Sequence, residues 1–475
     1  LETAQASSVT FATNRKKIAT PMTLTTIISL ITAAAIVLTG LTYFVLKHKD
    51  SLLISFLQNW TGTLFLFSGY VKAVDPLGTA YKMEQYFAEF ESIFTDTALS
   101  FLAPMFPAMA EYSVSFSVFM IVLEIVLGLA LIIGFRPKLT AWLFWLIVVF
   151  FTVLTGFTFL TGYVPSGVNF FSFGEWEAFA DSNMKVTDCG CFGDFLKLEP
   201  FTSFMKDIVL LVPAFMFLFS YKKMHLLGTV PVRSAAGGIL TVVTLLYCMS
   251  NYAWDIPGQD FRPFKVNADV AAVKKAEMDA AASVQTLGYK MVNKANGTVK
   301  ELTTADFLQV YKDYPEAEWE YNQIVSEPAI VATKLSDFEM STAEGDDPIP
   351  AMLEDDGYSF LIVAYKLKGD KGSWKESYVA DWKEDIQPLA KAALAAGYKV
   401  YGLTKFNEDA AINDFRATIG ADYPFWRGDD IMLKTIIRSN PGVVLMKDGI
   451  ILGKWHHSRV PGLAEMMEGL IRTKD

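Results

Sequence analysis

The sequence predicts an α-helical membrane bundle followed by an α/β domain outside the membrane. Of 475 residues, 52% are hydrophobic and only 19% charged, and the mean hydropathy is +0.30. Soluble domains run nearer a quarter charged. Nearly all of the apolar excess precedes residue 256. A net charge of −10 without a basic stripe argues against a nucleic-acid partner. Three cysteines and four histidines rule out a disulfide scaffold and argue against a Cys/His zinc site.

Six apolar stretches are candidate spans, 22–46, 52–71, 113–135, 139–163, 208–221 and 235–253, given that about 20 residues cross a bilayer core. The fifth is short and holds Pro213, so it is either kinked or begins earlier, near Phe201. The first is too long for a signal-peptide core and is followed by Lys47 and Lys49, so it reads as a span. Short basic loops (Lys47 and Lys49; Arg136 and Lys138; Lys222, Lys223 and Arg233) alternate with two longer acidic segments, 75–111 and 165–199. By the positive-inside rule the basic loops are cytoplasmic. The acidic segments and everything after Trp254 then face the other side, the periplasm in a bacterium. Arg15, Lys16 and Lys17 run against this orientation: either the tail is translocated with its charge, or the first stretch does not cross fully. Phe87, Phe90 and Phe94, with Glu89 and Glu91 between them, predict an amphipathic helix lying at the interface.

Two features of this half carry chemistry. Glu124 lies mid-span in the third stretch, where a carboxylate costs about 2.5–3.5 kcal/mol on insertion scales. It is either a proton-handling or ligand-binding group, or a protonated carboxyl hydrogen-bonded to a neighbouring helix. The second is Asp188-Cys189-Gly190-Cys191-Phe192-Gly193-Asp194, in the acidic segment before the fifth stretch. One intervening glycine lets the two cysteines meet in a small ring, and a disulfide so closed is strained and labile. The pair is a thiol–disulfide exchange centre, a static disulfide, or simply packed thiols in a Gly-rich turn. Cys248, inside the last stretch, reads as a packing residue. Lys206 and Asp207 pair locally, or Lys206 favours a thiolate at the cysteines.

The run from Phe67-Ser68-Gly69-Tyr70-Val71-Lys72 to Gly78, the Glu124 helix, and the block from Asp188 to Lys206-Asp207 together resemble a bacterial DoxX/MauE-type inner-membrane protein over roughly residues 50–225. The Cys-Gly-Cys-Phe-Gly core is the most specific part. The resemblance implies a four-helix membrane core in the second to fifth stretches, with one extra span at each end. It also implies periplasmic disulfide chemistry at Cys189 and Cys191, with Glu124 as an associated acid and quinone as a coupled carrier.

Beyond the membrane half, residues 289–292 and 299–302 flank Asn296-Gly297 and predict a hairpin. Residues 359–365 form a continuous apolar run, expected as a buried strand. Residues 381–396 are an amphipathic helix ended by Gly397, with Pro388 implying a kink or a later start. A strand at 399–403, a helix at 410–419, and a hairpin of 443–446 with 450–455 about Asp448-Gly449 follow. The order β-α-β-α-β-β-α, with Asn440-Pro441 before the terminal hairpin, resembles a thioredoxin-like domain of the TlpA/peroxiredoxin type. Ser336-Asp337-Phe338 would be its lead-in strand and Pro441 its cis-proline, so Asn440 and Pro441 become candidate partner-binding residues. Where that family carries Cys-x-x-Cys, this chain has Lys366-Leu367-Lys368-Gly369-Asp370-Lys371-Gly372-Ser373-Trp374, and no cysteine follows Cys248. His456 and His457 are expected to point opposite ways on a strand, against a joint metal site. Glu354-Asp355-Asp356 and Asp429-Asp430 lack calcium-loop spacing.

The expected organisation is a tail and extra span (1–50), the DoxX/MauE-like domain (51–225), a last span and exit linker (226–262), a hairpin-bearing connector (263–334) and the thioredoxin-like domain (335–475). The functional expectation is a membrane thiol–disulfide oxidoreductase, with Cys189/Cys191 exchanging and the C-terminal domain binding a periplasmic protein client. The alternative is a non-catalytic membrane scaffold with Cys189–Cys191 as a structural staple. Membrane lipid is a partner in both.

Overall fold

Apolar runs in lipid leave the backbone little choice but to hydrogen-bond to itself as helix. The computed structural model, which describes residues 23–47, 51–186, 188–326, 328–330 and 332–472, has that form in its first half. The Arg15–Lys17 tail and Lys49 lie outside the described residues. The chain divides into two units, Leu1–Lys72 with Tyr81–Val242, and Ala73–Ala80 with Val243–Asp475.

The helices are α1 (Leu24–Gly40, continued by a π turn to Val45), α2 (Leu52–Val74), α3 (Pro76–Thr95), α4 (Met105–Glu111), α5 (Ser113–Ile133), α6 (Pro137–Leu160), α7 (Pro200–Ser220) and α8 (Val230–Ser250). Local chemistry sets their ends. The Thr23 side chain accepts from Thr26 N to open α1. Gly134 closes α5 at φ 69°, where a Cβ would stand 1.9 Å from the His225 carbonyl oxygen. Of the two alternatives for the fifth stretch, the earlier start holds: α7 begins at Pro200, in the first turn where a missing N–H costs nothing, and runs through Pro213.

Among the described residues, five helices are long and apolar enough to cross a membrane: Leu24–Val45, Ser113–Ile133, Pro137–Tyr163, Pro200–Lys223 and Val230–Ser250. The expected second span is a 23-residue helix but is not among them. Gln58 and Asn59 dilute it, and both are buried with protein partners. Gln58 Nε2 donates to Leu131 O at 3.0 Å, and Asn59 Nδ2 to Thr39 Oγ1 at 3.1 Å. The helix therefore presents polarity inward. It crosses α5 closely, because a Cβ on Gly62 would lie 2.7 Å from Gly128 O and one on Gly128 2.8 Å from Gly62 O. The expected aromatic helix is α3. Its phenylalanines pack on protein: Phe87 on Phe116, Phe90 on Phe106 and Phe157, Phe94 on Phe106 and Phe171.

The second unit holds α9 (Val270–Ala282) and a three-stranded antiparallel sheet, order β2-β1-β3, of β1 (Thr286–Asn293), β2 (Val299–Thr303) and β3 (Trp319–Val325). The Asn296-Gly297 hairpin is present, with Val292 opposite Val299 and Gly297 at φ 69°. Helices α10 (Thr304–Val310) and α11 (Ile349–Leu353) precede β4 (Tyr358–Ala364), and a small hairpin, β5 (Gly369–Asp370) with β6 (Ser373–Trp374), follows it. The chain continues through α12 (Glu376–Asp381), α13 (Gln387–Ala395), β7 (Lys399–Lys405), α14 (Asp409–Ile419), β8 (Phe425–Gly428), α15 (Asp430–Ile436), β9 (Gly442–Lys447), β10 (Ile450–His456) and α16 (Leu463–Arg472). The mixed five-stranded sheet runs β10-β9-β4-β7-β8, with β4, β7 and β8 parallel. Central β4 is covered on both faces. Phe360 and Ile362 meet Tyr378, Trp382 and Phe415 on one side, while Leu361 and Val363 meet Leu433, Ile436 and Trp426 on the other. Phe264 and Val270, well before residue 335, belong to that second core.

Four expectations are corrected. Residues 336–338, expected as a lead-in strand, form a turn and irregular chain instead, although Phe338 is buried. The expected element order omitted β8, too short for a pattern and formed on the edge of β7, and α15 after it. The helix expected at 381 starts at Glu376 and passes Trp382–Ile386 as a π turn, just before Pro388, which has no N–H to continue the ladder. His456 and His457 do not diverge: β10 ends at His456, the chain turns, and the two rings lie 4.4 Å apart.

Candidate functional site

The Cys-Gly-Cys segment folds as a tight turn because its two glycines take left-handed torsions, Gly190 at φ 63° and Gly193 at φ 51°. Asp188 Oδ1 accepts from Gly190 N at 3.1 Å, and Lys82 of α3 pairs with Asp188 at 3.0 Å. A Cβ on Gly190 would approach Lys82 Cγ to 3.3 Å, so glycine lets that lysine lie across the turn. Phe192 is fully buried and packs on Phe67 of α2, which anchors the far end.

This turn brings the Cys189 and Cys191 sulfurs to 3.0 Å as free thiols. Their environments differ. Cys189 Sγ lies 2.8 Å from Ser203 Oγ in the first turn of α7, whereas Ser68 of α2 holds the backbone of Cys191, its Oγ donating to Cys191 O at 3.0 Å. The hydrogen bond from the Cys191 thiol brings Cys189 down to about 6; burial opposes this, and Ser203 and the Lys206 ammonium assist it. Donating that hydrogen bond, and then burial, push Cys191 up. One sulfur is thus a thiolate at neutral pH and the other a thiol. Tyr86 of α3, bonded through its hydroxyl to Thr158 Oγ1 at 2.6 Å, is pushed up by burial, and the nearby sulfurs add to the rise.

Behind the sulfurs, Lys206 pairs with Asp207, and Asp207 also accepts from Thr155 Oγ1 of α6 at 2.9 Å. Both expectations for Lys206 therefore hold together: it pairs locally and its charge reaches the cysteines. One turn along α2 from Ser68, Lys72 Nζ meets Glu124 Oε2 at 2.7 Å, both side chains being less than a tenth exposed. The Lys72 ammonium also sits 4.8 Å above the Phe151 ring. Glu124 is accordingly paired with a cation, not with the neutral hydrogen-bonding neighbour entertained from the sequence. Lys72 was visible as a lysine ending an apolar helix. Ser203 carried no signal, since only the return of α7 beside the loop makes it a neighbour of Cys189. Cys248 is wholly buried.

In the second unit the Asn440–Pro441 bond is cis. Asn440 Nδ2 donates to Lys366 O at 2.7 Å and Asn440 Oδ1 accepts from Tyr378 at 3.2 Å, so the segment that follows β4 is tied to this loop. Pro441 is buried and Asn440 half-buried. Asp381, Asp385 and His457 present ligand atoms within 4.8 Å of one another, the one such group able to hold a metal ion among the described residues. His457 Nδ1 is hydrogen-bonded to Asp385 at 2.8 Å. Of the acidic pairs, Asp429 caps α15 by accepting from Met432 N, and Asp355 pairs with Lys399.

No family model, curated protein or solved structure matches the chain.

Proposed function

We propose that this chain is a membrane thiol–disulfide exchange protein in which Cys189 is the nucleophile and Cys191 the resolving cysteine. The observation that carries the reading is the unequal pair: sulfurs 3.0 Å apart, one held as a thiolate by its partner, Ser203 and Lys206, the other kept protonated. A purely structural staple has no use for that asymmetry. In one turnover the Cys189 thiolate attacks a sulfur of a client disulfide, forming a mixed disulfide and releasing one client thiolate. Cys191 gives up its proton and attacks the Cys189 sulfur, releasing the second client thiolate and leaving Cys189–Cys191 oxidised. Two electrons have passed to the client, and the reverse sequence oxidises a client dithiol.

The DoxX/MauE resemblance supports the placement. The basic loops face the cytoplasm of a bacterial inner membrane, and the cysteines and the C-terminal domain face the periplasm, where disulfides persist. At 23 residues, α2 is ~34 Å long and crosses as an internal helix. The C-terminal domain, thioredoxin-like in its strand order and cis-proline, serves as a client-binding module without dithiol chemistry of its own. A quinone, the carrier that the resemblance implies, would need polar groups for its carbonyl oxygens. Lys72 and Glu124, the intramembrane candidates, already satisfy each other, so no step is routed through one.

The test is mass spectrometry of alkylated native membranes with single variants. Cys191→Ser keeps a hydroxyl donor beside Cys189 and should accumulate a mixed disulfide through Cys189, while Cys189→Ser should not. If both cysteines stay uniformly oxidised under mild reductant and neither variant captures a partner, the scaffold reading replaces this one.

A further inference from the structure

A second site lies at the other end of the same helices, and it rests only on the membrane reading, not on thiol chemistry. A groove of about 730 Å³ opens between the start of α6 and the end of α7. Its polar rim is Arg136, Lys138 and Lys222; its apolar wall includes Leu139, Trp142 and Tyr221. We infer that this groove seats the phosphate-bearing headgroup of an anionic phospholipid, with the first part of an acyl chain against Leu139 and Trp142.

The charge is one-sided. No Asp or Glu occurs between Glu124 and Glu175 or between Asp207 and Asp255, so neither helix end carries an acid to neutralise the rim. Among the described residues none of the three cations makes an ion pair. Arg136 is also held in an unusual pose, with left-handed backbone at φ 38° and its guanidinium 5.6 Å from the Phe135 ring centre. A non-glycine residue there carries backbone strain, which tends to collect at functional positions. Its guanidinium is a planar donor fork suited to phosphate oxygens.

The apolar wall decides between a lipid and a free anion. Leu139 and Trp142 are each 48% exposed, although they stand in the first turns of a spanning helix. A free phosphate has no use for that wall, whereas a phospholipid has both a charge for the rim and hydrocarbon for the wall. Basic pockets between spanning helices and aromatic residues at the bilayer edge are the physical elements of such a seat. Each cation near an anionic headgroup is worth about a 5-fold gain in binding, so three give roughly 100-fold over a zwitterionic lipid.

The experiment is native mass spectrometry of the full-length protein released from detergent, offered dioleoylphosphatidylglycerol or dioleoylphosphatidylcholine. The wild type should retain one phosphatidylglycerol at least tenfold better than phosphatidylcholine. R136Q/K138Q/K222Q should bring that ratio within about threefold of unity, and L139A/W142A, with every cation kept, should weaken retention of both lipids. Lys223, adjacent but outside the groove, serves as control: K223Q should leave the ratio unchanged. If the triple variant does not fold, R136Q and K222Q singly should each cost about fivefold. Equal retention of both lipids, an unaffected rim variant, or an equal loss in K223Q overturns the inference. Displacement of the lipid by 10 mM inorganic phosphate with no effect of L139A/W142A overturns it in favour of a free-anion site.

Discussion

The sharpest consequence of the unequal pair is the pH at which each sulfur becomes reactive. Cys189 sits at about 6, against 9.0 for an unperturbed thiol. At pH 7 that makes it about 90% thiolate where an ordinary cysteine is about 1%, a gain of roughly 90-fold in reactive species. A more acidic thiol is also a weaker nucleophile. Over three pH units, a Brønsted slope near 0.45 returns about 15–30-fold of that gain. The net acceleration at pH 7 is therefore only about 3–6-fold, and the midpoint is the better observable. Reduced full-length protein would be alkylated with iodoacetamide from pH 4.5 to 9.5 and each site quantified by mass spectrometry. Cys189 should label with a midpoint near 6 and Cys191 should lag at every pH. Cys191→Ala removes the principal donor to the thiolate and should move the Cys189 midpoint up by more than one unit. Ser203→Ala removes a lesser one and should move it less. A Cys189 midpoint above about 8, or Cys191 labelling first, refutes the assignment of nucleophile and resolving cysteine.

Two further predictions concern buried charge. Lys72→Met strips Glu124 of its counter-ion inside the bundle and should cost about 3–5 kcal/mol; K72M/E124L, which removes both charges, should recover most of it. Thermal unfolding in detergent reads both, and a double variant no better than the single would show that the pair is not a unit. In the second unit Arg438 pairs with Asp75 at 2.7 Å, with side chains 5% and 14% exposed. Burial pushes the Asp75 carboxyl up, but Arg438 and then Arg262 outweigh it and hold the group below its usual value. A carboxylate lowered in the folded state contributes stability above about pH 4 that is lost as pH falls through its folded value. Arg438→Met should therefore be destabilised by about 3–5 kcal/mol at neutral pH and converge on the wild type in acid; a gap that does not change with pH would refute the pairing.

Legibility in the sequence followed how local each signal is. Asn296-Gly297 and Asp448-Gly449 announce their hairpins because left-handed turn torsions select those residues. The run 359–365 announces a buried strand because it is nearly continuous in apolar residues, and the strand forms at Tyr358–Ala364. Strand β8 has only four residues and gains its identity by pairing with β7, so no periodicity precedes it. Helix α2 was legible as a helix but not by its share of polarity. Gln58 and Asn59 reduce its apparent affinity for lipid while being satisfied by Leu131 O and Thr39, contacts that exist only once the helices pack. The cysteines and Glu124 were visible as chemistry out of place. Their partners lie 14 residues away for Ser203 and 52 for Lys72, and sequence spacing gives no route to them.

The distribution of polarity in the helical unit separates two kinds of buried group. At the end near His225, the polar side chains are closed against backbone and against each other. His225 has Ile132 O 2.7 Å from Nε2 and Ser55 Oγ 2.7 Å from Nδ1, while Gln58 Oε1 accepts from His225 N at 2.9 Å. Such groups tie the helix ends together. Around the Cys-Gly-Cys turn and the helices that hold it the choice is different. Lys72, Glu124, Lys206 and Asp207 are all ionisable, and together with Lys82 and Asp188 they supply three cation–carboxylate pairs within one stretch of fold. Replacing buried ion pairs by apolar side chains is often neutral or stabilising, so stability alone does not favour keeping them. A sulfur that cycles between thiolate and disulfide changes charge at each step, and cations already held in place lessen the cost of that change. That is why the charged surroundings favour a reacting Cys189 over an inert one, and why the alkylation midpoint, which reads those surroundings directly, is the measurement on which the reading stands.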